Sequence, residues 1–325
     1  MTSLGAVVVL FHPTADQIAR VVELRRHCDQ LVVVDNTPQP DDRLAALFAE
    51  HDIALIHEGN RNGIAGAHNR GLASQFERGA DAVALIDQDS VMPAAYFPVM
   101  REICATLGSQ PFMVGPRIFD EIVQAYLPVL ETNGITVRQI DMREDAGMQR
   151  CALLISSGCV ISRAAFAKLG PFDETLFIDH VDTEYCFRAH AHEIPLYVTP
   201  ALTLSHRIGD LRRHKLGPFK TVTLNHPWRR RYYNARNAVQ LLLRYGRRYP
   251  VVFMVNLFTL REIFFIALLE EAKLAKLTGI VMGIVDGLSG RLGPIEKTRP
   301  RLVARFAHGA GRRQLEPRLG RSGRG

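Results

Sequence analysis

Two acidic segments stand nearly a hundred residues apart in this chain, and their residue types suit metal-assisted group transfer. The first, Asp87-Gln88-Asp89-Ser90, follows the apolar run 82–86, so two carboxylates sit just past the end of a buried strand. Paired oxygen ligands on a rigid strand end suit a hard divalent cation carrying phosphates. The second, Asp179-His180-Val181-Asp182-Thr183-Glu184, opens a helix. Asp182 at a helix start is favoured by the macrodipole and can also remove a proton. A cation for the leaving group and a base for the nucleophile are the minimum equipment for transfer from a nucleotide. His206, at the end of a later strand, could add an imidazole to the same cation, since Mn²⁺ accepts mixed nitrogen and oxygen ligands. Each residue has a plainer competing role: a turn or cap for the acid pair, a packed histidine for His206.

The elements that must position these groups are legible from hydrophobic patterning. Apolar runs at 6–11, 31–34, 53–56 and 82–86 read as strands, with helical patterns at 16–27, 64–78 and 93–107. This βαβα alternation, with continuously apolar strands, predicts an α/β fold with a mostly parallel sheet and helices on both faces. Ligands of such sheets collect at the carboxyl ends of the strands. Asp35, Asn36, Asp87 and Asp89 all fall there. A further strand is expected at 112–119, irregular chain at 120–150, a small-residue turn at Ser156-Ser157-Gly158-Cys159, a helix at 183–192, and strands at 196–199 and 202–204. Residues 228–248 predict a basic helix bearing aromatic side chains, and 251–288 an apolar helical stretch. Asn256 and the Arg261-Glu262 pair interrupt its best apolar window, which argues against a membrane span. An interfacial helix and a buried helical hairpin both remain open.

Charge and cysteine content narrow the function classes. The formal charge is +7, and from Arg299 to Arg324 eight arginines face a single acid, Glu316. Such a region suits an anionic membrane surface, nucleic acid, or simply a solvated tail. Nucleic-acid binding is not expected: the strand-end acids would repel phosphates without a cation. Five cysteines without CxxC spacing argue against a disulfide scaffold or zinc site and for a reducing compartment. The amino-terminal residues carry no signal-peptide pattern, so a cytoplasmic location is expected. The glycines of Asn62-Gly63-Ile64-Ala65-Gly66-Ala67-His68-Asn69-Arg70-Gly71 have the wrong spacing and follow the wrong strand for a nicotinamide fingerprint. They can still let a helix start approach a nucleotide closely, with Asn62 and Asn69 reading ribose or base, or Asn62 serving as a helix cap. No Walker A sequence is present, which excludes a phosphate-cradling NTPase of that type.

Taken in order, Val33-Val34-Asp35-Asn36, the 62–69 segment, Asp87-Gln88-Asp89-Ser90, Ser157-Gly158-Cys159 and Phe177-Ile178-Asp179-His180-Val181-Asp182-Thr183-Glu184 resemble the family 2 glycosyltransferases of the GT-A (Rossmann-like) fold. Within these, the chain is similar to dTDP-L-rhamnose-dependent rhamnosyltransferases, and most to those extending mono-rhamnolipid to di-rhamnolipid. The resemblance spans residues 5 to about 305 and implies Asp35 at the thymine or ribose, with Asn36, Asn62, Gly63, Asn69 and Gln88 around the nucleotide sugar. It further implies Asp87 facing the sugar, Asp89 and His206 on Mg²⁺ or Mn²⁺, and Asp182 as base. Asp179, Glu184 and Arg188 would support the base. Val181 replaces the first acid of the family's block, with Asp179 as the compensating charge. Arg229, Arg230, Arg231 and Arg236 are second-rank candidates for phosphate contact.

The expected organisation is a catalytic domain at 1–220, its nucleotide half at about 1–119 and its acceptor half at about 120–220. A helical extension at 221–305 and a basic tail at 306–325 follow. The expected activity is inverting transfer of L-rhamnose from dTDP-L-rhamnose to an amphiphilic rhamnosyl-lipid, beside the inner face of the cytoplasmic membrane. Assembly of O-antigen or another cell-surface polysaccharide is the alternative. A non-catalytic relative is disfavoured by the retained acids, and a homo-oligomer is compatible with the sequence.

Overall fold

The computed structural model describes residues 2–121, 124–133, 136–142, 147–206, 212–216, 219–223, 225–249 and 251–310, with backbone alone at 206, 212–216, 219–222, 254–255, 258–262 and 307–310. The first half runs β1 (Leu4–Leu10), α1 (Ala15–Leu24), β2 (Gln30–Asp35), α2 (Asp42–Glu50), β3 (Ala54–His57), α3 (Gly63–Glu77), β4 (Ala82–Asp87), α4 (Tyr96–Leu107) and β5 (Met113–Asp120). Short strands β6 (Ala125–Tyr126), β7 (Val129–Thr132), β8 (Val137–Ile140) and β9 (Gln149–Arg150) follow. Then come β10 (Val160–Ser162), α5 (Arg163–Leu169), a 3₁₀ turn at Glu174–Leu176, α6 (Val181–Ala191) and β11 (Leu196–His206). The chain continues with β12 (Arg212–Leu216), β13 (Phe219–Thr223), α7 (Trp228–Tyr245), α8 (Val252–Leu269), α9 (Lys273–Leu288), α10 (Ile295–Thr298) and α11 (Pro300–Ala310).

The main sheet has the order β3-β2-β1-β4-β10-β5-β11-β9, with β6 beside β5. Strands β3, β2, β1 and β4 are mutually parallel, as are β5 and β11. β10 runs against both its neighbours, so the sheet is mixed at its centre. The inner strands read as unbroken apolar runs because both faces are covered. Val7, Val9, Val32 and Val34 enter one core, while Ala6, Val8, Leu10 and Val33 enter the other. Helix starts follow local chemistry: a Thr14–Gln17 capping box opens α1, and Asp41 accepts from Arg43 and Leu44 to open α2.

Three segments differ from the sequence-based expectation. The stretch 120–150 contains the β7–β8 hairpin rather than only irregular chain. α2 (Asp42–Glu50) was not expected: its apolar residues run together from Leu44 to Ala49, which masks the one face, Leu44 and Phe48, that it buries, although Asp41 was a readable start signal. The two strands expected at 196–204 are one, β11, whose register shifts between Thr199 and Thr203. Pro200 lies inside that shift, where its missing N–H demands an interruption in the ladder.

The apolar stretch 251–288 is a helical hairpin, α8 and α9, packed on α7. Gly279, Gly283 and Gly287 recur every fourth residue and share one face of α9. A Cβ at Gly279 would stand 2.6 Å from the Trp228 carbonyl, and one at Gly287 would stand 2.8 Å from that of Arg236. At Gly283 it would overlap the Tyr232 carbonyl. The two helix backbones therefore touch. Asp286, fully buried, accepts from Tyr232 Oη at 2.8 Å and Arg299 Nε at 2.9 Å, and Gln240 Nε2 donates to the Gly287 carbonyl at 2.5 Å. Replacing Gly283 with Val is expected to separate α7 from α9 and cost about 1–3 kcal/mol, measured by urea unfolding; an unchanged midpoint would show that the contact is dispensable.

Candidate active site

Strand register brings the acidic positions together. Leu10 pairs with Asp35 and Val9 with Asp87, so β2 and β4 present carboxylates on either side of the β1 exit. Asp35 is buried and accepts from the Thr37 N–H at 2.8 Å. Beyond Asp87 the chain turns tightly, with the Ser90 N–H donating to the Asp87 carbonyl at 3.0 Å and the Ser90 and Ser157 hydroxyls 2.5 Å apart. An isolated bridge joins Val91 to Ser205, the residue before His206. The backbone of His206 therefore ends β11 close to the Asp87–Ser90 turn. Its side chain lies outside the described residues, as do residues 207–211 and 311–325, which carry part of the expected basic tail.

Asp182 reaches this strand end because of an unusual loop. Phe177, Asp179 and His180 hold φ values of 68°, 61° and 59°, in the left-handed region that side-chain-bearing residues rarely occupy. Two elements fasten the loop. From one side, Ile64 at the start of α3 donates to the Phe177 carbonyl at 2.9 Å. That approach is possible because Gly63 has no Cβ to overlap the same carbonyl. From the other side, the Asn237 amide nitrogen in α7 contacts the carbonyls of Leu176, Ile178 and Asp179 at 3.0, 2.9 and 2.8 Å. Arg236 donates to the Thr175 and Leu176 carbonyls, and Arg230 Nε reaches Asp179 Oδ1 at 3.0 Å. α6 then begins with Val181 buried and Asp182 in its first turn.

Charge links these acids through Asp87. Asp87 keeps part of its surface open, yet burial of its carboxyl pushes the pKa up to about 7. The charges of Asp89 and Asp182 add to that rise, and Arg230 opposes it. Asp182 is also raised, mainly by burial, against the pull of the Thr183 and Ser156 backbone donors and of His180. Asp89 is exposed at the rim. Asp89 and Asp182 thus both act on Asp87, with Arg230 as the opposing cation.

Other expected site residues have protein partners. Asn36 donates to the Gly63 carbonyl at 3.0 Å, while its own amide oxygen is buried without a partner among the described residues. Gln88 makes a two-way amide bond with the Phe11 backbone, which fixes the β1 exit. Asn62 occupies the position before α3 without a capping bond; its amide goes to Glu174 at 2.7 Å. Asn69 brackets the Phe172 backbone from both sides and also reaches Glu174. These two amides hold the segment leading to Asp182. Glu184 pairs with Arg188 and accepts from Tyr245 Oη at 2.8 Å, and Arg188 also donates to the Leu169 and Pro171 carbonyls. They fasten α6 from behind.

Of the arginines considered for phosphate contact, only Arg230 stands among the acids. Arg231 is buried against Glu270 at 2.8 Å, Arg229 pairs with Glu296 at 3.2 Å, and Arg236 is fully buried on backbone carbonyls. The loop-fastening roles of Arg236 and Asn237 were missed in the sequence, where they read as part of a basic helix.

The chemistry of the donor set fits a divalent cation. Burial and the charge of Asp89 raise the cost of ionising Asp87, which a bound cation would relieve. No group of three or more His, Cys, Asp or Glu stands ready to hold a metal among the described residues. Asp87 and Asp89 would give such an ion one or two carboxylates, with substrate phosphates completing its shell.

The raised Asp87 pKa has a consequence for stability. In the folded state it lies near 7, against an ordinary value of 3.8, so the folded protein binds that proton more tightly. Its contribution to stability is present below about pH 4 and is lost as pH rises towards 7. In EDTA, Asp87→Asn should therefore match the wild type near pH 4 and exceed it by about 4 kcal/mol at pH 8. Denaturant melts across pH check this, and a difference independent of pH would contradict it.

Comparison with known proteins is consistent with this geometry. No family model matches the chain. Its sequence is 29% identical over 299 residues to the dTDP-rhamnosyl transferase RfbF of Shigella flexneri, covering 90% of this chain and 97% of that protein. Among solved structures, GalNAc-T7 with UDP, GalNAc and Mn²⁺ superposes with a TM-score of 0.53 at 12% identity, over 75% of this chain and 48% of that one. S. aureus TarS gives 0.53 at 12% identity, over 95% of this chain and 53% of that one. TarS 1-349 in complex with UDP-GlcNAc gives 0.52 at 11% identity, over 95% of this chain and 88% of that one. The chain thus spans about half the length of the first two structures. Its fold is that of the GT-A glycosyltransferases.

Proposed function

We propose that this protein moves L-rhamnose from dTDP-L-rhamnose to a sugar-bearing intermediate of cell-surface polysaccharide assembly, with inversion at the anomeric carbon. The enzyme class, a hexosyltransferase, follows from the fold and from near full-length similarity to a dTDP-rhamnosyl transferase. The observation that carries the finer reading is the shared environment of Asp87, Asp89 and Asp182 at the strand ends. The rhamnolipid acceptor, preferred on sequence, is less well supported: similarity to RfbF favours the polysaccharide alternative.

In this reading the thymidine lies along the β2 and β3 ends, near Asp35 and the unpartnered Asn36 oxygen. Asp89, with His206, would hold Mg²⁺ or Mn²⁺, which when bound supplies charge neutralisation for the departing diphosphate. Asp87 faces the sugar. Asp182 takes the proton from the acceptor hydroxyl as that oxygen attacks the anomeric carbon from the face opposite the nucleotide. Burial raises the proton affinity of Asp182, which helps a base that must hold a proton during transfer. Arg230 pairs with Asp179 at 3.0 Å and holds the chain just before it in place.

The outer face of α8 and α9 supports a membrane-side location for this work. Phe253, Leu257, Phe264, Leu268, Leu274 and Leu288 are all more than half exposed. Among the described residues no helix is long and apolar enough to cross a membrane. A peripheral hairpin would bring the enzyme to a lipid-linked acceptor.

One assay tests the proposal: purified protein, dTDP-L-rhamnose, and either mono-rhamnolipid or a lipid-linked polysaccharide intermediate in phosphatidylglycerol vesicles. Transfer is expected to the polysaccharide intermediate, with the protein sedimenting on the vesicles; transfer to mono-rhamnolipid alone would overturn the acceptor assignment. In the same assay Asp182→Asn should lower kcat by about 10²–10⁴ with little change in donor KM. Turnover close to wild type would remove Asp182 from the mechanism.

A further inference from the structure

The end of β5 carries an exposed aromatic ring that the mechanism above does not use. β6 pairs with β5 so that Tyr126 stands opposite Phe119 and Ala125 opposite Asp120. The Phe119 and Tyr126 rings meet edge to face, with centroids 5.3 Å apart and planes at 74°. Arg117, one pleat back on β5, lays its guanidinium over the Tyr126 ring at 3.9 Å from the centroid. The ring is thus held from two sides, yet Tyr126 remains 45% exposed. A ring already held in one position loses little further freedom when a ligand stacks on it.

Sheet geometry puts this ring on the same side as the reacting groups. Side chains alternate along a strand, and paired residues on neighbouring strands share a face. On β5, Met113 enters the core shared with α3 and α6, while Val114 enters the opposite one. Counting on along the strand puts Arg117 and Phe119, and with them Tyr126, on the α6 face. On β4, Val83 and Leu85 enter that same core, so Asp87 belongs to that face too. α6, which carries Asp182, packs there through Val181, Tyr185 and Cys186.

The ladders also set the distance. Val91, two residues past Asp89, bridges Ser205; Ser205 pairs with Phe119, and Phe119 with Tyr126. Three strand spacings of about 4.8 Å put Tyr126 about 14 Å from the Asp89 turn. That is too far for the ring bearing the attacking hydroxyl, and within reach of a ring further back along an extended acceptor. The surroundings select the ligand's chemistry. Gln124 and Ala125 beside the ring are exposed and offer little apolar surface, so an acyl chain would find a single ring to lie on. A pyranose fits that footprint: its C–H face packs on an aromatic face while its hydroxyls stay in water or meet the phenol edge.

We propose that Tyr126 forms a remote acceptor subsite: its ring stacks on a pyranose one or two residues behind the attacking sugar, so the preferred acceptor ends in an oligosaccharide and not in a single sugar. This rests on the reading of the protein as a rhamnosyltransferase acting on a polysaccharide intermediate. Arg117 and Phe119 act through Tyr126, as the residues that hold its ring in place.

The test uses the full-length protein, dTDP-L-rhamnose, and methyl glycosides of rhamnose, glucose, galactose and N-acetylglucosamine, with the di- and trisaccharides built from them. Donor hydrolysis without acceptor and sedimentation on phosphatidylglycerol vesicles are followed in parallel. The wild type should use at least one series, with kcat/KM rising about five- to tenfold from the single sugar to the longer acceptor. Tyr126→Ala and Tyr126→Leu should lose that gain, chiefly as a higher KM for the longer acceptor. Both should keep the wild-type rate on the single sugar, the donor KM, donor hydrolysis and sedimentation. Tyr126→Phe keeps the flat ring and should retain most of the gain. Leucine keeps the apolar bulk without that flat face, so Tyr126→Leu against Tyr126→Phe decides if Tyr126→Ala fails to fold. No gain with length in the wild type, full retention of the gain in Tyr126→Leu, or equal loss on short and long acceptors would overturn the proposal. Loss of vesicle sedimentation in place of acceptor affinity would assign the ring to lipid and overturn it as well. So would a wild type that hydrolyses the donor but uses no glycoside. A wild type that neither binds nor hydrolyses dTDP-L-rhamnose would instead sink the rhamnosyltransferase reading itself.

Discussion

A single amide holds the site in shape. The Asn237 amide nitrogen on α7 contacts the carbonyls of Leu176, Ile178 and Asp179, in a segment whose left-handed residues would not keep that conformation unaided. Each such residue costs about 1–3 kcal/mol, and strain of that size persists only where surrounding bonds over-determine it. Arg236, Arg230 and the Ile64 N–H supply the rest. Without this fastening, Asp182 would lack a fixed position relative to Asp87, and the two halves of the site would be separate acids. The C-terminal helices thus bear directly on catalytic geometry. The α9 glycines set how close α9 comes to α7, and Gly293 links the end of the hairpin to Thr175 and Arg236.

Holding carboxylates together has an electrostatic consequence. Burial is the main reason the Asp87 carboxyl sits near 7, and the charges of Asp89 and Asp182 add to it. A group of this kind is poorly suited to a purely structural role, since a charged cluster without a counter-ion lowers stability at neutral pH. It suits a site whose ligand brings the missing positive charge. Arg230 supplies part of it from the protein side and is shared between Asp179 and the field at Asp87.

Much of this fold could be read in advance because its strands are buried on both faces. Runs such as Val32–Val34 and Ala82–Ile86 are continuous, and acids at their ends mark the functional edge of the sheet. The places of Asp87 at the end of β4 and Asp89 just past it were therefore legible from the pattern, as was Asp182 at the start of α6. The loop-fastening residues were not. Asn237 and Arg236 lie in a helix whose basic surface pattern gives no sign that two of its polar side chains turn inward to backbone carbonyls. Asn62 and Asn69 were legible as important but not in how they act: their amides point to Glu174 and Phe172. The four-residue repeat of Gly279, Gly283 and Gly287 was present in the sequence as a signal for close helix packing, hidden within a stretch whose apolarity drew attention to membranes. β10 runs against the parallel strands on either side of it, which a strand of two apolar residues and a serine cannot announce.

Calorimetric titration of dTDP-L-rhamnose tests the central claim most directly, using wild type, Asp89→Asn and Asp182→Asn, with Mg²⁺ and with EDTA. Binding by the wild type that is lost in EDTA and in Asp89→Asn, but kept in Asp182→Asn, is the predicted outcome. Equal binding with and without the cation, or loss in Asp182→Asn to the same degree as in Asp89→Asn, would contradict it.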